Sequence, residues 1–123
     1  MNKNILIVLI INFFLSCSVQ KEYEKAMDYY RKSLEVDNQT GNKKSLATSL
    51  NNVGGLLQEI ENYDSAIVYF EKAIHLKPDF EEAWFNKGIS YTNLKNYPKA
   101  LDAYKRALDL RPQLNYLLGL FIG

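Results

Sequence analysis

The chain has 123 residues, of which 47% are hydrophobic and 24% charged, and its formal net charge at pH 7 is +1. This composition is typical of a folded protein, and the near-zero charge gives no general attraction to nucleic acid or to an anionic membrane. One cysteine and one histidine exclude an internal disulfide framework and a metal site built from several such side chains. We therefore expect no cofactor, no metal and no nucleic-acid partner.

The first 20 residues differ in composition from the rest of the chain. Lys3 precedes an apolar run from Ile5 to Leu15 that only Asn12 interrupts, and this run is shorter than the roughly 20 residues that a membrane-spanning helix needs. A charged start, a short apolar run and small residues after it are typical of a secretory signal peptide. The alternative is a buried amphipathic helix, but the run has no polar side. Residues 1–20 are therefore predicted to be an export leader.

The single cysteine directly follows this run, in the sequence Phe14-Leu15-Ser16-Cys17. The segment resembles a bacterial lipoprotein signal, in which a small residue precedes the cysteine that is lipidated after cleavage. Phe14 departs from this pattern, which usually has leucine there. The resemblance implies cleavage before Cys17, lipidation of Cys17, and a lipid-anchored or periplasmic location in a bacterial cell envelope. The alternative is an ordinary signal peptide with an incidental cysteine.

The remainder of the chain contains an internal repeat. Segments 22–34, 62–74 and 96–108 align without gaps, at offsets of 40 and 34 residues, and the segment that begins at Leu50 matches the one that begins at Trp84, again 34 residues later. Within these segments apolar residues recur every three or four positions, which predicts amphipathic helices. A repeat of this length indicates stacked supersecondary units that share one continuous core.

These positions resemble the tetratricopeptide repeat (TPR) family, whose pattern is a large apolar residue, glycine, an aromatic or leucine, alanine, an aromatic, a small residue and proline. The first copy has Leu50, Gly54, Leu57, Ala66, Phe70, Ala73 and Pro78, and the second has Trp84, Gly88, Tyr91, Ala100, Tyr104, Ala107 and Pro112. Lys87 takes a place that is usually apolar. The resemblance implies an all-α fold, a short α-solenoid of antiparallel helix hairpins in which these residues pack the repeats.

The repeat pattern sets the expected organisation after the leader. We predict a half repeat with only its second helix over residues 21–37, a loop and helix start over 38–45, full repeats over 46–79 and 80–113, and a partial C-terminal helix over 114–123. The polar stretch 37–42 is predicted to be a loop that accounts for the longer first spacing. The incomplete ends leave self-association open.

Helix starts are predicted from capping residues. Asn62 and Asn96 precede helices and are expected to cap them. Asp79, with Glu82 three residues later, is expected to form a capping box.

The sequence has no glycine-rich phosphate loop, no Cys-x-x-Cys and no His-Glu-x-x-His motif. His75 aligns with Glu35 and Asp109 on a charged helix face, so it is predicted to be solvated rather than catalytic. We expect no catalytic site and predict that the chain is not an enzyme.

In the TPR family the first helix of each repeat lines a concave groove that holds peptides or helices of partner proteins. The resemblance places this groove at Thr48, Asn51, Asn52, Gly55, Gln58 and Glu59, and at Glu82, Phe85, Asn86, Ile89, Thr92 and Asn93. Asn52 and Asn86 occupy one position in successive repeats, and an asparagine can both donate to and accept from a peptide backbone. Phe85 and Ile89 are the best candidates for a small apolar hot spot.

The predicted function is a protein-interaction scaffold that docks a partner peptide or helix, with the membrane contacted through the N-terminus only. One alternative is a truncated sensory input module related to TPR-linked signalling kinases. Another is an envelope glycan-binding protein that uses its nine tyrosines. The identity of the partner is open.

Overall fold

The computed structural model describes residues 2–113. It contains five helices in this range: α1 (Lys3–Thr40), α2 (Lys43–Glu59), α3 (Tyr63–Leu76), α4 (Glu81–Asn93) and α5 (Tyr97–Leu110). No strand occurs among the described residues. The helix predicted over 114–123 lies outside them.

The helices stack in chain order. Helix α2 packs against α3 and α4 against α5, while α4 also contacts α3 and α2, and α1 packs on α2. Each contact joins helices that are close in sequence, as expected for a solenoid in which a repeat touches only its neighbours. This arrangement confirms the predicted all-α solenoid.

Helix α1 differs from the expectation. It is one 38-residue helix that runs without a break from the predicted leader through the half repeat to Thr40. The prediction of a loop from residue 37 is wrong, because only Gly41 and Asn42 separate α1 from α2. The polar residues 37–40 contain no glycine or proline that would end the helix earlier. The helix ends at Gly41, whose φ of 70° lies in the left-handed region that glycine adopts at little cost.

The polar end of α1 is held by contacts with the next helix. The Asp37 carboxylate accepts hydrogen bonds from the Ser45 hydroxyl at 2.8 Å and from the Ser49 hydroxyl at 3.3 Å. Asn42 caps α2, because its side-chain oxygen accepts from the Ser45 backbone N–H at 3.1 Å. These bonds favour a short connection at the point where the sequence predicted a longer one.

The two halves of α1 have different surroundings. The apolar side chains from Ile5 to Val19 are exposed, and Met27 is the only buried residue of the helix. The helix is long and apolar enough to cross a membrane by length and composition, and its most apolar stretch is not buried against the rest of the protein. An N-terminal helix of this kind is compatible with a signal sequence or with a membrane anchor.

Two apolar clusters form the core between the helices. The first contains Met27, Val53, Leu57, Ala66 and Phe70, and the second contains Ala47, Leu50, Ala73, Phe80 and Ala83. The first joins α1 to the α2–α3 pair, and the second joins that pair to the start of α4. Burial of these residues provides the main force that holds the stack together.

Close approach within each helix pair depends on glycine. A Cβ atom at Gly54 would lie 2.5 Å from Cε1 of Phe70, and one at Gly88 would lie 2.7 Å from Cε1 of Tyr104. Such distances are far below van der Waals contact, so each aromatic ring occupies the space that a side chain on the facing helix would need.

Helix capping follows the predictions only in part. The Asn96 side chain accepts from the Lys99 backbone N–H at 3.4 Å, whereas Asn62 makes no side-chain capping bond. The capping box predicted for Asp79 and Glu82 is wrong, because Phe80 takes the N-cap position and no side chain caps α4. Phe80 is buried in the core, and this packing places the helix start one residue later than the capping pattern indicates.

Candidate functional site

Helices α2 and α4, the first helices of the two full repeats, are joined by polar side chains. The Asn86 amide donates to the Asn51 side-chain oxygen at 3.3 Å. The Gln58 amide donates to the Asn86 backbone carbonyl at 3.1 Å and to the Ser90 hydroxyl at 3.0 Å. These bonds fix the position of α4 along α2.

Three residues predicted to bind a partner therefore hold the repeats together. Asn51 is only 3% exposed, so it does not offer an amide to the groove, and the prediction for this residue is corrected. Gln58 and Asn86 are half-buried and make the inter-repeat bonds described above. Buried amides need hydrogen-bond partners within the protein. Here the side chains of Asn51 and Asn86 bond to each other, and the Gln58 amide bonds to the Asn86 carbonyl and to Ser90.

Ser90 is fully buried in this contact and was missed by sequence reasoning. The sequence feature that could have identified it is a comparison with its repeat counterpart, Leu56. That residue lies 34 positions earlier and packs against the first core cluster. A serine at a position that is apolar in the other repeat indicates a local polar contact.

Other predicted groove residues remain accessible. Asn52 and Ile89 are half-buried, while Thr48, Glu82 and Asn93 are exposed. The Asn93 amide donates to the Ile89 backbone carbonyl at 2.9 Å, which leaves its side-chain oxygen available as an acceptor. A Cβ atom at Gly55 would meet nothing within 4 Å, so this side of α2 borders open space.

Phe85 lines a second concave surface, here called the end groove, which lies between α4 and α5. The ring is 51% exposed and its centroid is 5.5 Å from that of Tyr104. The end groove has a volume of about 480 Å³ and is lined by Glu81, Glu82, Phe85, Tyr104, Ala107, Leu108 and Arg111. Arg111 and Glu81 form an ion pair at its rim.

Lys87, which departs from the family pattern, packs against aromatic side chains. Its ammonium group lies 5.1 Å from the centre of the Trp84 ring and 3.4 Å from the Glu71 carboxylate. Burial, and after it the Glu71 charge, raises the pKa of the neighbouring Tyr91 phenol above its ordinary value. The long lysine stem can cover apolar surface while its charge is paired, so lysine replaces the usual apolar residue without leaving an unpaired buried charge.

Side chains that could bind a metal ion do not cluster among the described residues. Within residues 2–113, no three histidine, cysteine, aspartate or glutamate side chains come together in a way that could hold a metal ion. His75 is exposed on α3, and Cys17 is exposed on α1.

The described structure is that of a helical-repeat protein whose units are antiparallel helix hairpins. Comparison with protein families matches residues 15–79 and residues 81–114 to the tetratricopeptide repeat. The chain belongs to the tetratricopeptide repeat family. Proteins built from these repeats generally mediate protein–protein interactions and are generally non-catalytic.

Three relatives differ in how much of their own length this chain matches. The chain is 30% identical over 98 residues to an uncharacterized protein of Methanocaldococcus jannaschii, and the match covers 80% of this chain and 90% of that protein. It is 32% identical over 93 residues to the human protein O-mannosyl-transferase TMTC3, covering 76% of this chain and 10% of the transferase. It is 34% identical over 92 residues to the uncharacterized protein ycf37 of Guillardia theta, covering 72% and 49% of the two chains.

The chain thus spans about a tenth of the human transferase and about half of the Guillardia protein.

Proposed function

We propose that this chain is a non-catalytic interaction scaffold that docks an extended peptide or a helix of another protein along the groove formed by α2 and α4. We further propose that it is exported and anchored by lipid at Cys17 in a bacterial cell envelope. The observation that carries the docking proposal is the open, mixed polar and apolar surface around Asn52, Gly55, Ile89 and Asn93.

This surface has the chemistry that recognition of a peptide backbone needs. Asn52 offers an amide group, which can donate to a backbone C=O or accept from a backbone N–H. The side-chain oxygen of Asn93 can accept from a backbone N–H. Neither contact selects a particular side chain of the partner. Ile89, one turn before Asn93 on α4, adds an apolar contact. The empty space at Gly55 gives a partner room to approach the α2 backbone.

The anchoring proposal rests on the two halves of α1. Packing against the core begins at Tyr23, so removal of the residues before Cys17 would leave the packed part of the stack intact. At the helical rise of about 1.5 Å per residue, a lipidated Cys17 would hold the first core residue roughly 10 Å from its anchor.

The docking proposal is tested by placing a photo-activated cross-linking amino acid at position 89 in cells, with position 105 as the matched control on the exposed side of α5. We expect a discrete cross-linked partner from position 89 and none from position 105. Gly55→Leu should abolish the cross-link, because it fills the groove without touching the core. Equal labelling at both positions, or a cross-link that Gly55→Leu leaves unchanged, would refute the groove.

The anchoring proposal is tested by metabolic labelling with a palmitate analogue. The wild-type protein should be labelled and recovered with membranes, whereas Cys17→Ala should lose the label. Ser18→Ala is the control, since it changes a neighbouring small residue and leaves the thiol in place. An unlabelled wild-type protein would contradict lipidation at Cys17.

A further inference from the structure

We propose that α1 carries a pairing surface for a second copy of this chain, and that the two α1 helices pack side by side as a parallel coiled coil. The surface is called here the α1 seam, and its residues are Val19, Glu22, Ala26, Tyr29, Ser33 and Val36. It lies at the N-terminal end of the stack and does not depend on the docking of a partner between α2 and α4.

The α1 seam is a different face of the helix from the one that packs in the core. The residues that hold α1 against the rest of the stack are Tyr23, Met27, Tyr30 and Leu34. Helical geometry puts the middle of the seam about 100° round the helix from the middle of that face. At the usual packing distance of about 9 Å, a helix on the seam would lie about 14 Å from α2. A second helix can therefore pack on the seam without colliding with α2.

The equivalent face of α3 is covered, whereas that of α1 is open. The counterparts of Ala26 and Ser33 on α3 are Ala66 and Ala73, which are fully buried against side chains of α2. Helix α1 contacts α2 alone among the described helices, and α2 lies on the other face. The side chains of Val19, Tyr29 and Val36 are accordingly more than half exposed.

The spacing of the seam is that of a coiled coil. Its six residues follow one another at alternating steps of three and four positions, which are the a and d positions of a heptad repeat. The small residues Ala26 and Ser33 take a positions, and the larger Tyr29 and Val36 take d positions. Small and large layers that alternate in this way allow two identical faces to interdigitate, which favours a second copy as the occupant.

Charged residues beside the seam favour the parallel orientation. In a parallel pair, a residue at position g of one helix meets the next residue at position e of the other, so Lys32 meets Asp37 of the second copy. Within residues 2–113, Asp37 accepts from two serine hydroxyls and has no cationic partner. The next such pair is Lys25 with Tyr30, a cation and an aromatic ring. An antiparallel pair would bring the lysines of the two g positions together instead.

Attachment to a membrane gives the same orientation, and this step alone rests on the proposed anchoring. Two copies held at their N-terminal ends in one membrane have α1 helices that run in the same direction. Cys17 lies about 150° round the helix from the middle of the seam, so lipid chains would not separate the pair. Confinement also raises the effective concentration of the second copy, which offsets the two like charges that Glu22 places in one layer.

Disulfide cross-linking of the full chain in isolated membranes tests the proposal. Ala26→Cys and Ser33→Cys should each give a cross-linked dimer above the level of the wild-type protein, which has Cys17 alone. Glu24→Cys and Glu35→Cys are the matched controls, because both residues are exposed on the opposite side of α1, and neither should cross-link. Two copies with tags of different size should also give a mixed product of intermediate mass.

Three results would overturn the pairing. One is the absence of a dimer from both seam positions, and another is equal cross-linking at seam and control positions. The third is a dimer from only one seam position, because an antiparallel pair can bring a residue opposite its own copy at one level only. A product whose mass does not change with the tag of the second copy would show that another protein occupies the seam.

A charge substitution tests the same surface without depending on a new cysteine pair alone. In the Ser33→Cys background, Glu22→Leu should raise the cross-linked fraction at least about twofold, since it removes like charges from a seam layer and adds an apolar contact. Glu24→Leu, on the opposite side, should leave the fraction unchanged. An unchanged fraction with Glu22→Leu, or an equal rise in both variants, would contradict the seam. Palmitate labelling at Cys17 and cross-linking from position 89 are separate measurements, so failure of pairing is distinguishable from failure of anchoring or docking.

Discussion

Substitution of Gly54 by alanine tests how tightly the α2–α3 pair is packed. The added methyl group would lie 2.5 Å from Cε1 and 2.7 Å from Cδ1 of Phe70. The Phe70 ring is fully buried, so it can give way only if its neighbours also shift. The next residue, Gly55, lies on the same helix with nothing within 4 Å of its Cβ position, and Gly55→Ala is therefore the matched control.

The two variants share one energetic effect and differ in the other. Alanine in place of glycine inside a helix stabilises it by about 1 kcal/mol, and this gain applies to both positions. Overpacking of a filled core costs about 1–3 kcal/mol, and this applies to Gly54 alone. We expect Gly55→Ala to raise the free energy of unfolding by about 1 kcal/mol. Gly54→Ala should lie about 2 kcal/mol below Gly55→Ala.

Thermal unfolding followed by circular dichroism at the helix band measures this difference. For a domain of this size about 2 kcal/mol corresponds to a separation of roughly 8–16 °C between the two midpoints. Equal midpoints for the two alanine variants would show that the Phe70 ring does not fill the space above Gly54, and would refute the packing argument.

Two further predictions concern the polar contacts. Asn86→Ala should lower the free energy of unfolding by about 1–3 kcal/mol, because it leaves the buried Asn51 side chain without its partner, and urea unfolding would measure the loss against the exposed control Asn93→Ala. Burial and the Glu71 charge raise the pKa of Tyr91 above 10.0, so the folded state holds the phenolic proton more tightly than the unfolded state. This contribution to stability is complete below pH 10 and is lost as the pH rises through the folded-state pKa. The urea midpoint of the wild-type protein should therefore fall on the alkaline side, and Tyr91→Phe should reduce that fall. A fall of the same size in the variant would contradict the raised pKa of Tyr91.

The α2–α4 contact links stability to the proposed docking surface. Hydrogen bonds fix α4 against α2 through Asn51, Gln58, Asn86 and Ser90. The accessible residues Asn52 and Ile89 lie on the same two helices. Substitutions at the bonded amides will therefore change the groove by moving its walls. Substitutions at Gly55 or Ile89 change the groove surface itself, which makes them the better probes of binding.

Repeat spacing in the sequence was sufficient to predict the order of the helices and the family. Gly54 with Phe70 and Gly88 with Tyr104 recur at one spacing, and such a pattern indicates helix pairs because close packing restricts residue size. The end of α1 was predicted poorly. Its polar residues resemble a loop in composition, but the Asp37 carboxylate accepts hydrogen bonds from Ser45 and Ser49 on the next helix. A pattern of neighbouring residues does not predict contacts with another helix.

The candidate site also has a part that was predictable from the sequence and a part that was not. Apolar periodicity was enough to assign which residues lie on the first helix of each repeat, because that periodicity is a property of neighbouring residues. It could not assign which of these residues face the adjacent repeat and which face the open surface of the proposed groove. That choice depends on how far α4 is rotated and shifted against α2, and it is fixed by the burial of Phe80 and Ala83 and by amide bonds between residues about 30 positions apart. Asn51 and Asn52 are consecutive in the chain, yet this packing buries the first and leaves the second at the groove.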